Sequence, residues 1–217
     1  MSSSASWASS VVATELAEHG ARLAACRRCT LGPGILPIVS TAREPRAILV
    51  GQAPGKVERH GGRPFAGRAG RTLFQWLERA GLDEPTARRT LYIAAITRCY
   101  PGRHPSGRGD RVPSATERSN CGDWLSAELS ILRPSLIIPV GRLAIDRFFG
   151  PVPLSSVVGR VHDVTHSGGR SVAIPLPHPS GASSWVNLAE HRALLHRSLD
   201  LLRERLARMD DTSRSVA

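Results

Sequence analysis

The chain has 217 residues, which is enough for one medium domain with a sizeable core and scarcely enough for two. Hydrophobic residues make up 41% and charged residues 22%, a composition that excludes a wholly disordered chain. No apolar run approaches the roughly 18 residues that a membrane-spanning helix needs. The N-terminal residues lack the basic and apolar regions of a secretory signal peptide, so a cytoplasmic protein without membrane contact is expected.

The charge balance is strongly basic. Lysine and arginine total 29 against 18 acidic residues, giving a net charge of +11, and Lys56 is the only lysine. A GC-rich coding sequence would explain arginine in place of lysine, but it does not explain the excess of positive over negative charge. Because phosphate contacts provide the sequence-independent part of nucleic-acid affinity, this excess favours a nucleic-acid partner.

Apolar patterning predicts the strands. A first amphipathic helix is predicted at about residues 9–25, and a Gly/Pro-rich loop follows it. Short apolar runs then recur, each as long as a buried strand and without polar alternation, as in parallel strands covered on both faces. These runs are residues 47–50, 91–96, 136–140 and 172–176.

Helical patterns separate and follow these runs, at residues 69–80, at 114–132, after Gly141 and at 188–208. The pattern at residues 114–132 opens on Ser114 and Glu117, the spacing of a capping box. Alternating strands and helices predict one three-layer α/β/α domain over residues 1–209, with a mostly parallel four-stranded sheet. Residues 210–217 are expected to be a frayed tail.

Unusual residues cluster directly after the predicted strands. They are Gly51-Gln-Ala-Pro-Gly55 after the first strand, Arg98-Cys99 after the second, Gly141 after the third and His178-Pro-Ser-Gly181 after the fourth. Ligands of open α/β sheets bind beyond the carboxyl ends of the strands. The sequence therefore predicts a site at this edge of the sheet.

Four cysteines form the second notable set: Cys26, Cys29, Cys99 and Cys121. The first two form a C-x2-C, and 21 residues separate the last two. In a cytoplasmic protein such cysteines are more often metal ligands or reactive groups than disulfides, although free buried cysteines are also common. Zinc and a [4Fe–4S] cluster remain equal alternatives on spacing alone.

Together, the Gly51–Gly55 loop, the Gly62–Gly70 segment, the cysteines and the His178–Gly181 segment resemble the uracil-DNA glycosylase superfamily. The resemblance is to its iron–sulfur branches, families 4, 5 and X, and runs in order from Cys26 to the last helix. It implies a [4Fe–4S] cluster on the four cysteines. It also implies a monofunctional enzyme that flips uracil out of DNA and cleaves its N-glycosidic bond.

The resemblance also assigns roles to residues. Gln52 stands at a family Glu, and the backbone at Gly51, Gln52 and Ala53 would hold a uracil oxygen, although a tight turn alone would explain Gly51. Phe65 matches the aromatic on which uracil stacks, and His178 matches the histidine that assists departure of the base. Ser183 and Trp185 match the loop that wedges into the duplex, although Trp185 could equally face the core.

The chain departs from the family pattern at the polar groups that read the base. The family 4 Asn falls at Ala95, and the Asp that compensates for it in family 5 falls at Arg68. Alignment on the following proline places Asp110 where it could activate water, stabilise the oxocarbenium ion or attack it. The alternative is a turn carboxylate paired with an arginine. Glu58 is a further carboxylate near the first loop, and Asn187 is a candidate base reader.

Arginines around the third cysteine are expected to track phosphates: Arg98, Arg103, Arg108 and Arg111. Those on the last helix are expected to form a solvated face. The expected function is a monomeric DNA glycosylase of base excision repair that acts on uracil in DNA, with other deaminated bases left open. Two alternatives are a protein that binds or covalently traps uracil or abasic DNA without turnover, and a zinc-stabilised RNA- or nucleotide-binding domain.

Overall fold

The computed structural model describes residues 3–107, 109–180 and 184–215. Within these residues a single sheet has five strands in the order β2-β1-β3-β5-β4. The strands β1, β2, β3 and β5 pair in parallel, and β4 pairs antiparallel with β5 at one edge. Their bounds are β1 Ala47–Gly51, β2 Leu91–Ala95, β3 Leu136–Pro139, β4 His162–His166 and β5 Gly169–Ala173.

The mostly parallel α/β sheet is confirmed, but the prediction of four strands is wrong. The strand that sequence analysis missed is β4, which has only Val164 fully buried among its five residues. A half-solvated edge strand of this kind carries no apolar run, so its pattern does not stand out from a loop. The hairpin that joins it to β5 turns at Ser167 and Gly168.

The helices of the described residues cover both faces of the sheet. Their bounds are α1 Ser3–Ala24, α2 Lys56–Gly61, α3 Arg68–Arg79, α4 Glu84–Thr90, α5 Ala115–Leu132, α6 Arg142–Phe149, α7 Leu154–Val157 and α8 Ala189–Ser215. The predicted capping box opens α5, since Ser114 Oγ accepts from the Glu117 amide and Glu117 accepts from the Ser114 amide. The helix α8 continues through residues 210–215, where the sequence predicted a frayed tail.

Two apolar clusters fill the space between the layers. On one face Leu49 and Ile93 of the sheet pack with α3, α4 and α8, through side chains such as Leu73 and Leu199. On the other face Ile48, Val50 and Tyr92 pack with α5 and α6. Successive strand residues alternate between the two clusters. Each fully buried aliphatic side chain stabilises the fold by about 1.5–3 kcal/mol relative to an exposed one. The burial of the two sets therefore fixes which helices cover each face of the sheet.

The sheet also sets the position of the loops that carry the unusual residues. Gly51 at the end of β1 is in register with Ala95 at the end of β2, and Val140 bridges to Leu176 after β3 and β5. The segments that follow these strands therefore emerge at one edge. None of the helices in the described ranges is long and apolar enough to cross a membrane.

Candidate active site and cysteine centre

A cleft of about 580 Å³ opens at the carboxyl ends of β1 and β2. It brings together most of the residues that the sequence singled out for base recognition and chemistry. Those that line it are Gly51, Gln52, Ala53, Phe65, Asp110 and His178. These residues are distant in the chain, so their convergence on one cavity is a property of the fold.

Phe65 is fixed against the end of β1. A Cβ atom on Gly51 would lie 3.0 Å from the ring Cζ, so the ring lies flush with the strand end. The backbone of Phe65 is in the left-handed region, with φ 50°. This costs about 1–3 kcal/mol for a residue other than glycine. Arg88 stabilises that conformation by donating to the carbonyls of Pro64 and Phe65 at 2.9 and 3.1 Å.

Glu58 ties together the two glycine-rich loops of the cleft. Its carboxylate accepts from the backbone N–H of Gly55 at 3.0 Å and from that of Gly67 at 2.9 Å. The side chain is buried, with 7% of the residue exposed. Both carboxylate oxygens are therefore engaged in holding loop geometry, which assigns Glu58 a positioning role.

Gln52 is held by the first turn of α6. Its Oε1 accepts from the backbone N–H of Leu143 at 3.0 Å. Gly141, with φ 85°, lies between Gln52 and His178. A Cβ atom there would be 3.1 Å from Gln52 Cδ and 2.8 Å from His178 Cδ2, so only glycine lets the two side chains approach.

His178 has a defined tautomer. The backbone N–H of Ser180 donates to its Nδ1 at 3.2 Å, and the Ser180 hydroxyl lies 2.8 Å from the same atom. Because a backbone N–H can only donate, Nδ1 carries a lone pair and the ring proton is on Nε2. Burial lowers the pKa of His178. The imidazole is therefore neutral at physiological pH and offers Nε2–H as a donor.

Asp110 has a partner that sequence reasoning missed. The hydroxyl of buried Tyr100 donates to Asp110 Oδ1 at 3.0 Å. Burial, followed by this hydrogen bond, raises the pKa of Tyr100, so the phenol remains a donor. Asp110 itself is exposed at the cleft rim, and Arg111 binds Glu117 rather than Asp110. The signal in the sequence was the tyrosine directly after Cys99.

The arginines that the sequence predicted as phosphate contacts differ in their exposure and their partners. Arg98 is wrong as a phosphate ligand, because only 2% of it is exposed and its guanidinium pairs with buried Glu128. Arg103 is exposed, and Arg111 lines the cleft while forming a two-point contact with Glu117. Arg108 lies outside the described residues.

Fewer residues of the segment after His178 line the cleft than the sequence predicted. Trp185 is half-buried and stacks on His191, with ring centroids 4.2 Å apart. Asn187 is exposed and does not line the cleft in this structure, and its role in reading the base stays a prediction. Ser183 lies outside the described residues.

All four cysteines line a second cavity, of about 250 Å³. Cys26 and Cys29 follow α1, Cys99 follows β2, and Cys121 lies in the second turn of α5. None of them forms a disulfide. Burial, with the neighbouring cysteines, raises the pKa of Cys99 to about 12, and burial also raises the pKa of Cys121. A metal group would therefore have to displace protons on binding.

The described residues contain no group of three or more His, Cys, Asp or Glu side chains placed to hold one metal ion. The four cysteines line one cavity in this structure without forming such a group. Within the same described ranges, buried side-chain atoms without partners occur on three lining residues, namely Thr97, Arg98 and Trp124. Such donors suit a sulfur-rich anion.

The motif order and the cleft agree with comparisons to known proteins. A family model described as the uracil DNA glycosylase superfamily matches residues 38–207. The type-4 uracil-DNA glycosylase of Archaeoglobus fulgidus is 32% identical over 172 residues, covering 76% of this chain and 81% of that protein. The type-4 uracil-DNA glycosylase of Thermotoga maritima is 33% identical over 135 residues, covering 62% of this chain and 65% of that protein. A type-5 uracil-DNA glycosylase of Pyrobaculum aerophilum is 34% identical over 113 residues, or 46% of each chain. The chain belongs to the uracil DNA glycosylase superfamily.

Proposed function

We propose that the protein is a DNA glycosylase of base excision repair that hydrolyses the N-glycosidic bond of uracil in DNA. The observation that carries the proposal is the convergence of Phe65, Gln52, His178 and Asp110 on one cleft. Relatives named as uracil-DNA glycosylases support the same substrate. We expect the enzyme to act in the cytoplasm as a monomer, with uracil-containing DNA as its partner.

The base side of the reaction uses the inner part of the cleft. A flipped uracil would stack on the Phe65 ring and lie against the Gly51–Ala53 backbone, whose N–H groups can bind a carbonyl oxygen. As the bond breaks, negative charge develops on the base. Neutral His178 donates Nε2–H to that charge, and a fixed donor in a partly buried site stabilises it more than water does.

The sugar side of the reaction uses the rim of the cleft. The C1′–N1 bond breaks with its electron pair leaving on the base, and a water oxygen forms the new bond to C1′. Asp110 accepts the proton of that water, and the Tyr100 hydroxyl orients the Asp110 carboxylate. The anionic carboxylate also stabilises positive charge on the sugar ring.

The four cysteines would hold a [4Fe–4S] cluster. When bound, the cluster would cross-link the segment after α1, the segment after β2 and α5 through four thiolate bonds. The backbone N–H of Arg98 points at Cys121 Sγ at 3.3 Å, and Asn120 Nδ2 lies 3.8 Å from Cys29 Sγ. These donors would stabilise anionic sulfur, and the segments that carry them continue into the cleft.

The proposed activity is tested on an end-labelled single-stranded oligonucleotide carrying one uracil, with anaerobically purified protein. We expect release of free uracil and an alkali-labile site. Asp110→Asn should lower the single-turnover rate by about 10²–10⁴-fold, since it removes the general base. Asp163→Asn, at an exposed position on the edge strand β4, is the matched control and should leave the rate unchanged.

The other outcomes separate the alternatives. Unchanged uracil release by Asp110→Asn would remove Asp110 from the mechanism. A covalent adduct between the parent protein and the DNA that is stable on a denaturing gel would assign Asp110 the role of a nucleophile. Tight retention of the uracil strand without release would favour a binding protein. This second candidate is supported by Ala95, which lines the cleft without any polar group to read the base.

The cluster is tested by colour and metal content. Protein purified without oxygen should be brown and should hold about four irons per chain. Cys29→Ser should lose most of the iron, while Ser119→Ala, an exposed position on α5, should keep it. A colourless protein with one zinc per chain would contradict the assignment.

A further inference from the structure

We propose that Arg88 is a positioning residue for base recognition, which holds the Phe65 ring in place without touching the base. The inference rests on the proposed function and extends the site to a helix outside the cleft. Arg88 lies on α4 and does not belong to the described residues that line the cleft. Its effect on a flipped uracil therefore has to pass through Phe65.

The guanidinium of Arg88 is engaged at each of its three nitrogens. Nη1 donates to the Pro64 carbonyl at 2.9 Å, and Nη2 donates to the Phe65 carbonyl at 3.1 Å. Nε donates to Glu84 Oε1 at 2.8 Å, and the guanidinium carbon lies 4.4 Å from the centroid of the Phe74 ring. The side chain is 14% exposed. Contacts with α3 and α4 therefore fix the planar group so that two nitrogens meet two successive carbonyls.

Phe65 needs this support because of its backbone conformation. Its φ of 50° lies in the left-handed region, which a residue other than glycine adopts only where its surroundings compensate for the strain. Its carbonyl oxygen is packed against α3, since a Cβ atom on Gly70 would lie 1.9 Å from it. Removal of the Arg88 guanidinium takes a charged donor away from this strained backbone.

The position of the backbone sets the position of the ring. The ring atoms Cζ and Cε2 of Phe65 lie 3.0 and 3.3 Å from the site of a Cβ atom on Gly51, at the end of β1. A change of Phe65 to a negative φ would reorient its Cα–Cβ bond and move the ring away from Gly51. Because aromatic stacking depends on the separation and offset of the rings, loss of Arg88 should weaken the stacking of a base.

The neighbouring Arg89 provides a matched control on the same helix. Its side chain is 50% exposed and pairs with Glu44 at 3.7 Å. Arg88→Met and Arg89→Met each remove one charge and one ion pair from α4. Only Arg88→Met also removes the donors to Pro64 and Phe65, so a difference between the two variants reports on those donors.

The test compares single-turnover uracil release by the full-length protein, Arg88→Met, Arg88→Lys and Arg89→Met, below the lowest of their melting temperatures. We expect Arg88→Met to slow release by about 10- to 100-fold, the range that base–aromatic stacking provides. Arg88→Lys should give an intermediate rate, because one ammonium group cannot reproduce the two-pronged contact. Arg89→Met should keep the parent rate. An equal rate for Arg88→Met and Arg89→Met would overturn the proposal and leave the glycosylase standing.

A double-mutant cycle with Phe65→Ala separates positioning from a general loss of stability. If Arg88 acts through the ring, Arg88→Met should slow release by less than about twofold in the Phe65→Ala background. Equal slowing in the parent and Phe65→Ala backgrounds would overturn the proposal, since the effect would then not pass through the ring.

Binding of an uncleavable probe distinguishes failure of this proposal from failure of the proposed function. The probe is a single strand with one 2′-fluoro-deoxyuridine, whose glycosidic bond resists hydrolysis, and the comparison strand has deoxycytidine there. Arg88→Met should bind the comparison strand as Arg89→Met does and lose most of the preference for the probe. If it loses that preference while the parent protein prefers the probe but releases no uracil, the role of Arg88 stands and the glycosylase fails. Full preference in Arg88→Met would overturn the proposal, and a parent protein with neither release nor preference would overturn both.

Discussion

At the scale of single residues, Arg98 has the largest expected effect on stability. Its guanidinium pairs with Glu128, which is completely buried and also accepts from Tyr92 at 2.8 Å. Arg98→Met leaves the buried Glu128 carboxylate without its guanidinium partner, with only Tyr92 and His19 of the described residues hydrogen-bonded to it, and should lower the free energy of unfolding by about 3–5 kcal/mol. Urea unfolding of the two proteins measures the change.

The double variant Arg98→Met, Glu128→Met is the control for that measurement. It removes both charges and should recover part of the loss, because an apolar pair of similar volume avoids the desolvation cost. If the single variant unfolds at the same urea concentration as the parent protein, the pair does not stabilise the fold.

Gly70 makes a second prediction at this scale. A Cβ atom there would lie 1.9 Å from the Phe65 carbonyl oxygen, so Gly70→Ala must displace the backbone of Phe65. We expect it to destabilise by about 1–3 kcal/mol and to lower uracil release. Gly61→Ala is the matched control, because its Cβ would meet Ala66 at an ordinary 3.7 Å. Equal activity of both variants would contradict the proposed role of Phe65.

At the scale of elements, the N-terminus of α5 should give the protein a specific acid sensitivity. The hydrogen bonds from Arg111 hold the pKa of Glu117 below its ordinary value of 4.5. Because the folded pKa is the lower one, this stabilisation is present above about pH 4.5 and is lost as the pH falls through the folded pKa. Glu117→Gln should flatten the fall in unfolding free energy over that range.

Ser114→Ala tests the same helix end without changing a charge. It removes the cap that accepts from the Glu117 amide and should cost about 1 kcal/mol. That cost should be similar at neutral and acidic pH, so the two variants give different pH profiles by urea unfolding. If the unfolding free energies of the two variants changed in parallel with pH, the Arg111–Glu117 pair would make no specific contribution to the acid sensitivity.

At the scale of the whole molecule, the net charge of +11 predicts salt-sensitive binding to DNA. Each phosphate contact contributes about −0.9 to the slope of log K against log salt concentration. Exposed Arg103, beside Asp110 at the cleft, should contribute one such contact, so Arg103→Gln should reduce the slope by about 1. The measurement is a salt titration of binding to undamaged duplex, which keeps turnover out of the result.

Arg203→Gln provides the comparison for that titration. Arg203 lies on α8 and pairs with Asp200 at 2.5 Å, so its removal should leave the slope unchanged. Equal reductions by the two variants would assign the salt dependence to the general field of the protein rather than to the cleft.

The sequence predicted those features that neighbouring residues encode. The strands β1, β2 and β3 were found because both of their faces are buried, which produces uninterrupted apolar runs, and the capping box was found from two residues. The fourth predicted run, residues 172–176, overlaps β5 only at Val172 and Ala173, because the first half of β5 is exposed. The edge strand β4 was missed because half of it faces solvent. Residues 210–215 were predicted as a tail, although the helix α8 continues through them.

By itself the sequence determined which residue types gather at the strand ends, because a parallel sheet brings all its carboxyl ends to one edge. Only the tertiary structure decided which partner each side chain takes. It turned Arg98 inward to Glu128, gave Asp110 the hydroxyl of Tyr100, and used Glu58 to join two loops. The physical reason is that ion pairs and hydrogen bonds form between groups far apart in the chain, and local pattern carries no record of that choice.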